Sequence, residues 1–245
     1  MKDNFSSKSD NYAKYRPTYP LEFFDFLNSL LPSKMNAWDC GTGNGQIAFE
    51  ISKTFENVEA TDISIAQIKN AVTVDNVHYS IQAAESVNYD NDFFDLIIVG
   101  QAIHWFDFEK FYSEVKRTGK KNAIVCAVGY GRMKVNLEID TIIDEFYTNV
   151  IGTYWDEERK FIDENYQTIP FPFKEISTPN FSQKYFWDLD HLIGYLNTWS
   201  AVKHYIQKNG SNPITPLEIE LRKIWGNQKL NLYFPMLLRM GYVHQ

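Results

Sequence analysis

Apolar positions along this chain switch repeatedly between short continuous runs and helical spacing, which predicts strands and helices in alternation. Phe23, Phe24, Leu27, Leu30 and Leu31 recur at i, i+3/i+4 intervals and predict an amphipathic helix that Pro32 stops. A short apolar segment ending at Cys40 reads as a buried strand, and the spacing of Ile47, Ala48 and Ile51 as a helix starting near Gln46. The same reading gives a strand over 57–62, a helix over 65–73 and a strand over 77–81. The run Leu96-Ile97-Ile98-Val99 predicts a strand buried on both faces, as in a parallel sheet. A helix over 108–118, closed by Gly119, and a strand over 122–128 follow. Regular alternation then stops. Residues 133–170 mix helical patterns with many aromatics, and beyond them come a strand over 181–187, a mostly helical stretch over 189–205, a helix over 216–226 and a final strand over 229–234. Strands alternating with helices predict a doubly wound α/β sheet. The simplest organisation is one domain over 1–245, with an arm at 1–20 and an inserted helical lid at about 133–170.

Composition narrows the function classes. A net charge of −7 argues against a broad nucleic-acid or anionic-membrane surface, since both need a basic excess. No apolar run reaches the length of a membrane span, and the N-terminus lacks the apolar centre of a signal peptide. The expectation is a cytoplasmic protein, monomeric or homodimeric, that meets neither nucleic acid nor membrane. Its two cysteines, Cys40 and Cys126, fall in strands that are not neighbours and should be free thiols, and no zinc-ligand spacing is present, so no metal is expected. Aromatic residues are 16% of the chain, enough to line pockets as well as fill a core.

The stretch Asp39-Cys40-Gly41-Thr42-Gly43-Asn44-Gly45 joins the first predicted strand to its helix. Glycines there permit backbone angles and close approaches that a side chain would block. The third glycine comes one place too early for the dinucleotide fingerprint, with Gln46 in the expected slot, so a nicotinamide site is disfavoured. No G-K-[ST] ending follows, which excludes a P-loop. About 20 residues further on, Asp62 ends the second strand at the place where a carboxylate accepts from ribose hydroxyls. Gln101 to Asp107 and Gly129 to Arg132 emerge at the carboxyl ends of the later strands, where open α/β sheets bind ligands.

The glycine turn resembles motif I of the class I S-adenosylmethionine-dependent methyltransferases. The combination of Tyr15-Arg16-Pro17-Thr18-Tyr19-Pro20, Ala84-Glu85, Gln101-Ala102-Ile103-His104-Trp105-Phe106 and Thr198-Trp199-Ser200-Ala201 resembles their type 11 group, which includes trans-aconitate methyltransferase-like enzymes. The resemblance implies a Rossmann-like seven-stranded sheet of order 3-2-1-4-5-7-6 with the last strand antiparallel. It implies S-adenosylmethionine as cofactor, with Asp39 and Gly41 at its amino-acid portion, Thr42 and Gly43 completing the turn, Asp62 at the ribose, Ile63 on one adenine face, Ala84 and Glu85 at the adenine rim and Gln101 closing the methionine pocket. The methyl acceptor is expected to be a small molecule, with a carboxylate among the candidates. His104 is the candidate base if the acceptor must lose a proton, and otherwise an orienting or packing residue beside Trp105. Tyr12, Tyr15, Trp105 and Trp199 are candidates to surround the transferred methyl, where cation–π attraction is worth ~0.5 to 2 kcal/mol. Arg16 is a candidate to reach either the cofactor carboxylate or a substrate carboxylate, and with Arg132 it is a candidate for a local cationic pocket that takes an acidic substrate. The competing reading is an inactive cofactor-binding protein with a regulatory or assembly role.

Overall fold

The computed structural model describes residues 15–244. Tyr12, a candidate site residue, lies outside the described residues, as does most of the expected arm.

An eight-stranded sheet organises the molecule, in the order β3-β2-β1-β4-β5-β8-β6, with β7 also paired to β8. Helix α1 (Leu21–Leu30) precedes β1 (Asn36–Cys40), and α2 (Gln46–Ile51), β2 (Asn57–Asp62), α3 (Ile65–Lys69) and β3 (Val77–Ile81) complete the first half. Strand β4 (Phe94–Gly100), helix α4 (Phe108–Thr118) and strand β5 (Gly119–Tyr130) begin the second. The strands β1 to β5 are mutually parallel, and β8 (Leu230–Tyr242) runs antiparallel to β5, from Ile124↔Tyr242 to Tyr130↔Met236. The architecture is the Rossmann-like one expected, with the last strand inserted antiparallel beside β5. The added strand is β6 (Lys174–Glu175), two residues too short and too polar to leave a hydrophobic signal, which pairs with β8 while β7 (Ser182–Trp187) pairs with the other end of β8.

Alternating side chains of β4 separate two cores, as the period of a strand requires. Leu96 and Ile98 pack with Phe23, Phe24 and Leu27 of α1 and Ile47 and Ile51 of α2. Ile97 and Val99 pack on the other face with Phe111 and Val115 of α4, Trp38 and Tyr166. A third apolar cluster forms over the carboxyl ends of the strands. It joins α5 (Leu137–Glu145) and the π-helical turn Phe146–Val150 to α7 (Leu189–Leu196), α8 (Ser200–Asn209) and α9 (Ile214–Trp225). Between them lies α6 (Arg159–Asp163).

Several expected boundaries move for local reasons. The helix after β2 ends at Lys69 rather than Thr73, although Ser64 caps its start by accepting from Gln67 N. Gly119 opens β5 instead of closing a helix into a loop, and the strand's polar start is held by Lys120, which pairs with Asp95 at 2.9 Å. The stretch over 189–205 is broken at Asn197–Trp199 into α7 and α8, and α9 begins two residues before Pro216, which fits because first-turn N–H groups need no helical partner. Strand β8 continues past Phe234 through Pro235, the residue at which pairing passes from β7 to β5. Cys40 and Cys126 are buried free thiols in β1 and β5, separated by β4, and burial pushes both up from the ordinary thiol range. Among the described residues no helix is long and apolar enough to cross a membrane.

Candidate active site

The turn after β1 is built around a buried carboxylate. One oxygen of Asp39, Oδ2, accepts from Thr42 Oγ1 at 2.6 Å and from Ala48 N at 2.9 Å, so it fastens both the turn and the first turn of α2. The other, Oδ1, is buried with no hydrogen-bond partner among the described residues. Burial pushes the Asp39 carboxyl up to about 7, against the lowering effect of its two hydrogen bonds and with a further push from the Asp62 charge. Gly41 has φ +70, and a Cβ there would stand 2.7 Å from Ala102 Cβ, so the β4 rim closes directly on the turn. Gly43, at φ +58, faces open space. Asp62 binds the same turn from β2: Oδ2 accepts from Gly43 N and Oδ1 from Ser64 N, each at 2.8 Å.

These residues line a cleft of about 1010 Å³ that is open to solvent. Its far wall comes from the β4 rim. Gln101 adopts φ +52, a left-handed conformation costly for a branched-chain-free but non-glycine residue, and both ends of its amide are used: Nε2 donates to Tyr130 O at 3.1 Å, and Oε1 accepts from Tyr166 at 3.3 Å. Tyr166 is itself held from behind by β8. Arg239 Nη1 donates to the carbonyls of Tyr166 and Ile169 at 3.0 and 3.1 Å, while its Nε and Nη2 clamp Glu175 at 2.8 and 2.6 Å.

A second cavity of about 570 Å³ adjoins the cleft and shares Arg16, Gln101 and Trp105 with it. Its lining includes Arg159 and Lys203 as well as Arg16, against one acid among the described residues, Asp156. Ser200 and Lys203 place the N-terminal turn of the ten-residue α8 in the same wall. Arg16 is fixed there by contacts of Nη1 to the Tyr130 hydroxyl and Nη2 to Thr198 O, both at 3.2 Å. His104 also lines this cavity, and its buried Nδ1 has no hydrogen-bond partner among the described residues. Burial, reinforced by the Arg159 charge, lowers His104 to about 3, so the imidazole is neutral at physiological pH.

Comparison with known proteins agrees with this geometry. Residues 38–127, from β1 through β5, match the methyltransferase domain family. A candidate methyltransferase of Dictyostelium discoideum is 33% identical over 96% of this chain and 93% of its own length. The chain belongs to the S-adenosylmethionine-dependent methyltransferases. A solved structure of a candidate type II methyltransferase from Anaeromyxobacter dehalogenans superposes with a TM-score of 0.87 at 34% identity, covering 94% of this chain and 99% of that one. A candidate methyltransferase from Bacillus halodurans, at 14% identity and a TM-score of 0.54 over 92% of this chain and 100% of that one, shares the fold.

Within this methyltransferase, Asp39, Gly41, Thr42, Gly43, Asp62, Ile63, Ala84 and Gln101 all line the cleft. Glu85 does not; its Oε1 accepts from Asp107 N at 3.0 Å, at the start of α4, and Gln82 takes a place on the cleft wall instead. Arg16 and Trp105 line both cavities, and His104 lines the second. Three other candidates sit elsewhere. Tyr15 packs edge-on to His191, 5.1 Å between centroids. Trp199 is buried in the third apolar cluster against Tyr147, Trp155 and Tyr195. Arg132 pairs with Asp144 at 2.6 Å and lies over the Tyr147 ring, in neither cavity. The basic residues that do join Arg16, Arg159 and Lys203, gave no local sequence signal, because each is one exposed-looking cation in a helical stretch. Tyr19 and Tyr130 on the cleft wall fall within the Tyr15–Pro20 and Gly129–Arg132 stretches, though neither was a candidate by itself.

Proposed function

We propose that this methyltransferase transfers a methyl group to a carboxylate-bearing small molecule held in the basic cavity beside the cofactor cleft. The observation that carries the reading is that cavity: three cations in its wall, on a chain of net charge −7, sharing Arg16, Gln101 and Trp105 with the cleft. It also agrees with the resemblance to trans-aconitate methyltransferase-like enzymes.

The residues of the cleft fit the cofactor. The unpartnered Asp39 Oδ1 suits its ammonium group, and the Asp62 carboxylate, held at the cleft wall by Gly43 N and Ser64 N, is an acceptor-only group of the kind that ribose hydroxyls donate to. The open side of Gly43 leaves room for the chain between them, Ile63 and Ala84 offer apolar surface to the adenine, and Gln101 closes the methionine end. S-adenosylmethionine supplies an electrophilic methyl on a sulfonium, and charge is lost as that methyl meets an anionic oxygen. The protein's task is therefore alignment and exclusion of water. Arg16, Arg159 and Lys203 bind and orient the acceptor anion, while Trp105, Tyr19 and Tyr130 cover the junction. No base is required for an acceptor already ionised at neutral pH, which suits a His104 held neutral and weakly basic; it orients the acceptor through its ring nitrogens. Residues 133–170 serve as a lid, completed by the helices after β7.

The test is transfer of isotope-labelled methyl from S-adenosylmethionine into a panel of small carboxylates, phenols and amines, read by mass spectrometry. Labelled, alkali-labile methyl esters are expected. Label in amines or phenols with none in carboxylates would overturn the acceptor class.

A further inference from the structure

Arg159 differs from the other cations of the basic cavity in how it is held. Its Nε donates to the Tyr147 hydroxyl at 2.8 Å, and its guanidinium lies over the Trp155 ring, 4.5 Å from the centroid. Neither Nη1 nor Nη2 has a hydrogen-bond partner among the described residues. The Nε edge and one face are thus committed to the protein, and the two-nitrogen end remains for a ligand. Tyr147 is fixed in turn. Its hydroxyl donates to the Asp163 carboxylate, with Oδ1 at 2.7 Å and Oδ2 at 2.9 Å, while accepting from Arg159. Burial raises the phenol above its ordinary range, so it keeps the proton that this chain of donors needs. Arg132, anchored to Asp144, stacks on the same ring at 4.7 Å.

An arginine restricted to its terminal edge favours planar oxyanions, because two parallel N–H groups match the two oxygens of a carboxylate. The nearby His104 Nδ1, buried and unpartnered, marks the same cavity as made for a polar ligand. We propose that Arg159 selects a planar carboxylate in the acceptor pocket by a two-point contact from its Nη edge, and that Tyr147 and Asp163 are positioning residues that fix that edge. This rests on the reading of the basic cavity as the acceptor site. Arg132 braces Tyr147 from outside the pocket, which gives it an indirect part in acceptor recognition.

The experiment is calorimetric titration of the S-adenosylhomocysteine-loaded enzyme with succinate, and with inorganic phosphate as a non-planar comparison. Loss of a charge-assisted contact at Arg159→Ala should weaken succinate binding about tenfold or more, and Tyr147→Phe or Asp163→Asn about three- to tenfold. S-adenosylhomocysteine affinity and melting temperature should stay near those of the parent in the Tyr147→Phe and Asp163→Asn proteins. In the Arg159→Ala background Tyr147→Phe should cause no further loss, and Arg159→Lys should restore phosphate binding better than succinate binding. A Tyr147→Phe effect that persists without Arg159, no effect of Tyr147→Phe at all, or full rescue of succinate binding by lysine would overturn the positioning proposal alone. Absence of succinate binding to the parent, or binding indifferent to Arg159→Ala, would overturn the acceptor-pocket reading beneath it.

Discussion

The two cavities of this methyltransferase meet at Arg16, Gln101 and Trp105 yet are made by different means. The floor of the cleft is the glycine turn and the ends of parallel strands, with Asp39 and Asp62 tied into that turn by hydrogen bonds of 2.6 to 2.9 Å. The basic cavity is made of long side chains that arrive from the N-terminal segment, α6 and α8, and depend on stacking and pairing within the third apolar cluster for their positions. The rigid sheet suits a ligand common to a whole family, and helices above it can change their cations without disturbing the sheet. On the proposed reading, recognition of the donor and choice of acceptor are divided between two layers of one fold.

The sharpest break in that comparison is Asp62→Ala. It removes the proposed ribose acceptor and strands two backbone N–H groups, so S-adenosylhomocysteine affinity should fall about 100-fold or more while the fold persists. Calorimetry reads this directly, and a loss under tenfold would mean the cleft is less main-chain-fixed than described. Next comes Arg239→Ala, which takes the side-chain donor from the carbonyls of Tyr166 and Ile169, leaving Tyr166 O with only Ile169 N at 3.3 Å among the described residues, and releases Glu175. A destabilisation of about 2 to 3 kcal/mol is expected in chemical denaturation, with a weakened Gln101 rim.

Proton linkage sharpens the contrast further. The Asp39 carboxyl of the folded protein titrates near 7, above its unfolded value, so its ionisation opposes folding as pH rises from about 4 to 7. A ligand cation beside Oδ1 favours the ionised form. Affinity for S-adenosylhomocysteine should thus drop up to about tenfold per unit as pH falls below 7, and Asp39→Asn should flatten that slope. His104 behaves oppositely. Its folded value near 3 lies below the unfolded one, so the stability of its neutral buried state is present above about 6.5 and is lost progressively as pH falls towards 3. The smallest effect is expected here: kcat/KM should show no inflection from His104 between pH 5 and 8, and His104→Gln should lower kcat less than about tenfold. A loss of several hundredfold with a new acid limb would return His104 to the role of base.

The division between layers also governs how much could be read from the chain itself. Asp39, the three glycines and Asp62 act through backbone geometry over a short span, so their spacing alone announced the cleft, and the buried run of β4 placed the Gln101 rim. Arg159 and Lys203 carry no such spacing. Each lies in a helix whose apolar period says only which face is buried, and what brings them to Arg16 is the packing of Trp155, Trp199 and Tyr195, a tertiary event. Arg132 illustrates the converse: its place at the end of β5 was legible, but Asp144 and the Tyr147 ring turn it away from both cavities. Strand β6 was hidden because two polar residues leave no period to detect.

Strand β8 runs through all three apolar clusters: Leu232 and Phe234 belong to the cap, Leu237 to one face of the sheet and Met240 to the other. The glycine turn and its strands lie close together in sequence, whereas each of the three clusters is completed only by residues of β8. The pairing of β5 with its antiparallel neighbour spans more than a hundred residues, a long-range contact of the kind that slows folding in general. Among the described residues the cleft itself is lined by 16–130 and borrows nothing from that last strand, so β8 acts on it from behind, through β5 and through Arg239 beneath Tyr166.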